Sequence, residues 1–266
     1  MRVPMSRVVV AVGLVVLMSV SAPGGLLNVP RVDNQQTGGG AYAEAYAYGR
    51  VDETSDDDGP NQDPDETVAS ASAGADAEYD GGSATAASLV SAEITASRQQ
   101  TSATPHASTC LGGEGMISSA GYNCGAESYT YAVADAKWKA PADANMYGDM
   151  YLLAIGETTG THNEDPFEFH MLCGASWLEA FWDGDGFSVT GWLADDDGNG
   201  EEVDDYYPAT INDHFYSHEI MDEDETFWTT VSAEMDVFAS TAAGPPSTAS
   251  FLWGSTSSSA ALLYNR

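Results

Sequence analysis

Small apolar residues and polar residues alternate with a period of two through long stretches of this chain. In 41–47 alanine holds every odd position, and Tyr42, Glu44, Tyr46 and Tyr48 hold the even ones. The pattern returns in 69–77, where every odd position is Ala and Ser70, Ser72, Gly74 and Asp76 stand between. In 83–97 the even positions Ala84, Ala86, Val90, Ala92, Ile94 and Ala96 make one apolar face, with Ser88 its only interruption. A strand points successive side chains to opposite faces, so this period predicts strands with one buried side. Alanine alone favours helix, but a helix would scatter the intervening polar residues around its surface.

The second half keeps this mode with larger side chains. Runs at 129–138, 146–155, 167–173, 187–193, 227–238 and 249–264 read as strands or strand pairs. Gly/Asp/Asn/Pro clusters at 156–166, 183–186, 195–200 and 244–246 punctuate them. Short helical turns are expected only at 176–181 and 212–221, and the second alternates well enough to be a strand instead. The acidic segment 52–66, with Gly59, Pro60 and Pro64, predicts a loop between the first two strands. The fold class that follows is all-β: a β-sandwich or jelly-roll-like, mostly antiparallel architecture with at most one or two short helical turns.

The amino terminus reads as an export signal over 1–22. Arg2 and Arg7 precede an apolar run from Val8 to Val20, and Ser19, Ser21 and Ala22 offer a small-residue cleavage site. A retained anchor is the alternative, but a span needs about 20 apolar residues, and Pro23, Gly24 and Gly25 interrupt this run early. Residues 23–40 form a flexible, Gly-rich leader, and 41–266 a single β-sandwich domain, with a subdivision near residue 105 as the alternative. One body is favoured because alanine faces add little transfer energy of their own. After signal cleavage no integral membrane domain is expected.

Charge then sets the environment. Asp+Glu 41 against Lys+Arg 8 gives a formal net charge of −33 over 266 residues. Hydrophobic residues at 43% and aromatics at 10% are too many for a disordered acidic chain, so the carboxylates coat a folded body. Such a surface repels itself in dilute buffer, whereas in 1 M salt the screening length is only about 3 Å. This points to a secreted protein of a high-salt extracellular surface. With so few basic residues, nucleic acid is excluded as a partner.

Export makes a disulfide between Cys110 and Cys124 the economical pairing across an expected Gly/Ser-rich loop at 111–123, leaving Cys173 a buried free thiol. Calcium is the one cofactor suggested. Asp195, Asp197 and Asn199 stand at ligand positions 1, 3 and 5 of a calcium loop, Gly200 falls at its sharp turn, and Glu201 follows. Glu202, Asp204 and Asp205 are further oxygen donors, but Tyr206 occupies position 12, where a bidentate Glu belongs. A solvated acidic turn explains the same residues. Asp183 to Gly186 reads as a tight turn.

His214, His218, Glu219 and Asp222 are the one cluster that hints at metal-dependent hydrolysis. On a helix the two imidazoles share a face about 6 Å apart, while on a strand they stand about 13 Å apart and cannot chelate one ion. Of the aromatics, Trp177, Phe181, Trp182, Phe187, Trp192, Tyr206, Tyr207, Tyr216 and Trp228 are expected mostly in the core, though surface tryptophans on a sandwich can stack on sugars. The sequence therefore points to a non-catalytic structural or interaction protein of an extracellular surface, such as a cell-envelope, fibre or virion component. Self-association or a surface glycan or protein would be its partner, and the 41–49 segment could be donated to a neighbouring subunit. A calcium-assisted glycan-binding module and a metal-dependent hydrolase are the alternatives.

Overall fold

Two antiparallel sheets packed face to face carry the alternating pattern, in a computed structural model that describes residues 35–51, 54–65, 68–79, 82–98, 105–120, 124–140, 142–160, 166–197, 199–241 and 247–264. The expected signal lies outside these residues. Fourteen strands follow in chain order: β1 (Gln35–Val51), β2 (Thr54–Asp65), β3 (Val68–Tyr79), β4 (Gly82–Arg98), β5 (Pro105–Ala120), β6 (Cys124–Lys139), β7 (Ala144–Thr159), β8 (Phe167–Cys173), β9 (Ser176–Trp182), β10 (Gly186–Leu193), β11 (Glu201–Pro208), β12 (Thr210–Met221), β13 (Thr226–Thr241) and β14 (Ser247–Tyr264). One sheet, A, has the order β11-β10-β9-β8-β13-β6-β1-β2, and the other, B, the order β12-β7-β14-β5-β4-β3. The all-β sandwich expected from the pattern is the observed fold. β4 and β5, the second of which begins at Pro105, pair from Ser83 with Ala120 to Arg98 with Pro105.

Three expectations are corrected. Most of the loop expected at 52–66 is strand: Thr54–Asp65 pair antiparallel with β1. Neither 176–181 nor 212–221 is helical, since both lie within strands, β9 and β12. The Gly/Ser-rich stretch after Cys110 is strand β5 as far as Ala120, paired on both sides. Small and polar residues made these segments look irregular, yet two flanking backbones supply a ladder that composition does not reveal. β1 also starts at Gln35, inside the expected leader.

The expected disulfide falls with that loop. Cys110 sits mid-strand between Glu93 and Ser257 in sheet B, and Cys124 opens β6 between Val51 and Thr241 in sheet A. The ten residues from Cys110 to the end of β5 span roughly 33 Å at strand rise, far beyond the ~7 Å between Cα atoms that a bridge tolerates. All three cysteines are free thiols.

The sandwich changes thickness along its width. Around β1, β3, β4 and β6 the inner faces are alanine, among them Ala43, Ala45, Ala47, Ala69, Ala84, Ala132 and Ala134, all buried. With one methyl per residue the sheets close in until a side chain of one reaches the backbone of the other. Ser88 Oγ in β4 donates to the Tyr46 carbonyl in β1 over 2.7 Å, and Ser128 Oγ in β6 donates to the Ala87 carbonyl over 3.1 Å. A Cβ on Gly49 would fall 2.8 Å from the Ala84 carbonyl oxygen of the facing sheet. Toward β8, β9, β10 and β14 the spacer becomes aromatic. Phe167 packs edge-on to Phe169 at 4.5 Å and stacks on Phe251 at 5.3 Å, and Trp182 meets Phe187 at 4.9 Å.

Both open sides of the sandwich are bridged. At one, β2 of sheet A lies beside β3 of sheet B, and Asp58 and Asp56 accept the amides of Gly74 and Asp76 at 3.1 and 3.0 Å. Asn61 completes the row by donating to the Ser72 carbonyl at 2.7 Å. At the other side the chain passes from β11 to β12 through Ala209, at φ 63, whose carbonyl accepts the Gly156 amide at 3.0 Å. There Tyr207 donates to Asp213 at 2.8 Å. On the β2–β3 side, Asp56, Asp58 and Asn61 thereby satisfy edge backbone groups that would otherwise invite another strand.

Candidate functional site

Strand parity, not residue type, decides which aromatics reach the surface. In β9 the inward set is Ser176, Leu178, Ala180 and Trp182, which sends Trp177, Glu179 and Phe181 outward. In β10 Phe187 and Val189 point in and Trp192 out. The expectation that these aromatics mostly fill the core therefore holds for Trp182 and Phe187 but is corrected for Trp177, Phe181, Trp192, Tyr206, Tyr216 and Trp228, all exposed.

Register places two indoles side by side. Thr230, Leu172, Trp177, Trp192 and Glu202 form one row across β13, β8, β9, β10 and β11, with Trp177 at 41% and Trp192 at 38% exposure. Each indole borders a concavity. Beside Trp177 a hollow of about 230 Å³ is lined by His170, Leu172, Glu179 and Thr230. Beside Trp192 a groove of about 340 Å³ runs past Ala175, Asp195, Asp196, Gly200 and Glu219. Gly200 is the buttress: a Cβ there would lie 2.2 Å from the Trp192 ring, so only glycine lets the indole settle against this loop.

The electrostatics around the row are those of acceptors. His170 stands between Glu168 and Glu179, its Nε2 and Nδ1 at 3.0 and 3.6 Å from their carboxylates. Glu219 takes the Ala175 amide at 2.9 Å. Burial raises its carboxyl above the ordinary range, an effect that Glu225 reinforces and the Ala175 amide opposes.

Three of the four expected calcium ligands, Asp195, Asp197 and Asn199, bond to one another or to Asp196 within the turn. Asp197 spends both oxygens on Asn199, one on its amide at 2.8 Å and one on its side chain at 2.9 Å, and these bonds hold the Asp197 carboxyl below its usual range. Asp195 accepts the Asp196 amide at 2.7 Å, and Glu201 has already entered β11. The structure instead gathers Asp195 and Asp196 with His218, donor atoms lying within 4.8 Å of one another. Three such groups fall short of the six to eight oxygens calcium takes. Sequence reasoning missed this grouping because it joins a turn to a strand of the other sheet through the bond from the His218 amide to the Ala194 carbonyl, 3.1 Å.

His214 and His218 do not share a site. On β12 their separation is about 13 Å, and each is engaged separately. His214 bonds Asp149 at 2.8 Å and stacks on Tyr151 at 4.4 Å, while His218 meets Asn145 at 3.2 Å and lies parallel to Tyr147 at 4.6 Å. Glu219 points to the opposite side, toward Ala175. The shared-metal geometry drawn from a helix is thus corrected by the strand.

The outer face of β4, β5 and β14 has a different character. Thr85, Ala87, Leu89, Ser91, Met116, Ser250, Leu252 and Leu263 are exposed there, with Leu89 at 45%, Met116 at 50% and Leu252 at 46%. These three strands carry two carboxylates, Glu93, paired with Cys110, and Glu114, paired with Leu89 and Leu252. For a chain with 41 carboxylates this is a charge-poor surface. No family model, curated protein or solved structure matches the chain.

Proposed function

We propose that this protein is a structural and interaction component of an extracellular surface in concentrated salt, acting by contact, and that it assembles through the outer face of β4, β5 and β14. The charge-poor character of that face carries the reading. A body with net charge −33 meets a copy of itself with least repulsion where carboxylates are few, and there Leu89, Met116 and Leu252 are left in solvent. Concentrated salt removes the remaining long-range repulsion, and salting-out ions strengthen apolar burial.

The dimensions agree with a stable contact. Three strands about 4.8 Å apart and about 16 residues of about 3.3 Å each give a face of roughly 760 Å². A standard interface needs about 800 Å² from each partner. Strands of 16 to 18 residues, β1, β4, β5, β6, β7, β13 and β14 among them, far exceed the usual five or six and make a stiff slab suited to a layer or fibre.

Sedimentation in multimolar KCl tests this. Wild type should run as a concentration-dependent oligomer, and L89E combined with L252E should run as a folded monomer. A wild-type chain that stays monomeric in salt, or a double variant that assembles equally well, would overturn the assignment.

A further inference from the structure

We infer that the Leu172–Trp177–Trp192 row on the outer face of sheet A binds a neutral polysaccharide. This goes beyond the assembly reading and uses the opposite sheet, so either can fail without the other. The starting point is the cost of the row itself. A chain that covers its surface with carboxylates nonetheless leaves two indoles side by side in solvent, where salting-out conditions make exposed apolar area more expensive.

The row is also built rather than incidental. Gly200 seats the Trp192 ring, and the Trp177 carbonyl approaches Gly191 so closely that a Cβ there would fall 2.3 Å from it. Gly200 therefore seats the Trp192 indole itself, while Gly191 lets the backbones that carry Trp177 and Trp192 approach closely. Three adjacent strands place Leu172, Trp177 and Trp192 over roughly 10 Å, the span of two linked pyranose rings.

The surroundings narrow the ligand's chemistry. His170, Glu179 and Thr230 border one side and Asp195, Asp196 and Glu219 the other, a set that accepts hydrogen bonds from hydroxyl groups. A ligand charged in either sense would depend on ionic forces that molar salt damps over about 3 Å, whereas ring stacking and short hydrogen bonds persist. Indole faces with carboxylate acceptors, in brine, fit an uncharged sugar chain.

The test is binding of the full-length chain in multimolar KCl to insoluble cellulose, chitin and starch and to their soluble oligosaccharides, followed by depletion and by tryptophan fluorescence. Wild type should bind at least one and show a fluorescence change. Trp177→Ala and Trp192→Ala should each weaken binding at least about tenfold, as for an aromatic anchor at the centre of a contact. Gly200→Ala, which displaces Trp192 without deleting it, should weaken binding too. Trp228→Ala should leave it unchanged, because Trp228 lies outside the row with Lys137 at 5.6 Å over its ring. Near-UV dichroism reports whether each variant is folded. Absence of binding to every sugar, binding equal in the folded Trp177→Ala and Trp192→Ala variants, or preferential binding to polylysine or to a protein would each overturn the inference.

Discussion

Ser88 and Ser128 face each other across the two sheets with their hydroxyl oxygens 3.0 Å apart. Each also reaches a main-chain carbonyl of the facing sheet, Tyr46 for one and Ala87 for the other. The pair marks where alanine spacing brings two sheets closer than the usual ~10 Å of a sandwich. The one polar residue that interrupts the apolar face of β4 is therefore a cross-sheet tie, matched by a hydroxyl on the other side.

At such a separation the space for a side chain is fixed by backbone, which cannot move aside. Ser88→Leu should destabilise the fold by about 1–3 kcal/mol, the range of overpacked cores, and Ser88→Ala by less, since it only removes the bond. Thr85→Leu on the exposed face of the same strand is the control. Chemical denaturation in concentrated salt measures all three. Equal midpoints for Ser88→Leu and Thr85→Leu would mean that the sheets are not in contact there.

The open side between β2 and β3 yields a second expectation. Asp56 and Asp58 accept amides of Asp76 and Gly74, so replacing both with Ala should expose those amides. Hydrogen exchange at Gly74 and Asp76 should accelerate, while global stability falls by no more than about 1 kcal/mol per bond. The bared β3 edge should also favour sheet-to-sheet aggregation, visible as light scattering. Unchanged exchange at both amides would show that these carboxylates do not seal the edge.

How far the sequence reaches is clear from these same residues. The period of two in 41–47, 69–77 and 83–97 was sufficient for β1, β3 and β4, because each buries one face of alanine. It failed for β2, whose Asp and Pro residues form a strand only because β1 offers a ladder and β3 offers amides to Asp56 and Asp58. It failed for β5, where Gly115 looks like a loop residue but leaves room for Met235, whose Cε would lie 1.9 Å from a Cβ. Residues 176–181 read as a helical turn in the sequence, so the parity that separates Trp177 from Leu178 emerges only once β8 and β10 flank the segment as strands. The meetings of Ser88 with Ser128 and of Asp196 with His218 depend on strand order, which a single sequence leaves open.

The three thiols should behave differently. Burial pushes Cys173 up to about 12, and its Sγ donates to the Ser259 carbonyl of the facing sheet at 3.3 Å. Burial and Glu93 raise Cys110 more modestly, and it is only partly buried. A thiol reagent applied to the folded protein should therefore modify Cys110 and spare Cys173 until unfolding. Reductant should leave the melting temperature unchanged, because no bridge joins Cys110 to Cys124. A reductant-dependent drop, or native-state modification of Cys173, would contradict this arrangement.

Alkaline pH should unlock the tyrosine surface of sheet A. Tyr42 donates to Glu44 at 2.5 Å, and that bond, with burial, raises its phenol to about 12. Burial and the nearby carboxylates Glu234 and Glu44 raise Tyr129 to about 12 as well, and Tyr131 and Tyr46 shift in the same direction. In the unfolded chain these phenols ionise near 10, so between 10 and 12 the folded state binds more protons. Their contribution is complete below pH 10 and disappears as pH rises toward 12. Phenolate absorbance and dichroism followed together should show ionisation and unfolding in the same interval, and Tyr42→Phe should make the loss of stability less steep. Tyrosines that ionise near pH 10 with the fold intact would mean that the carboxylates beside them do not hold their protons.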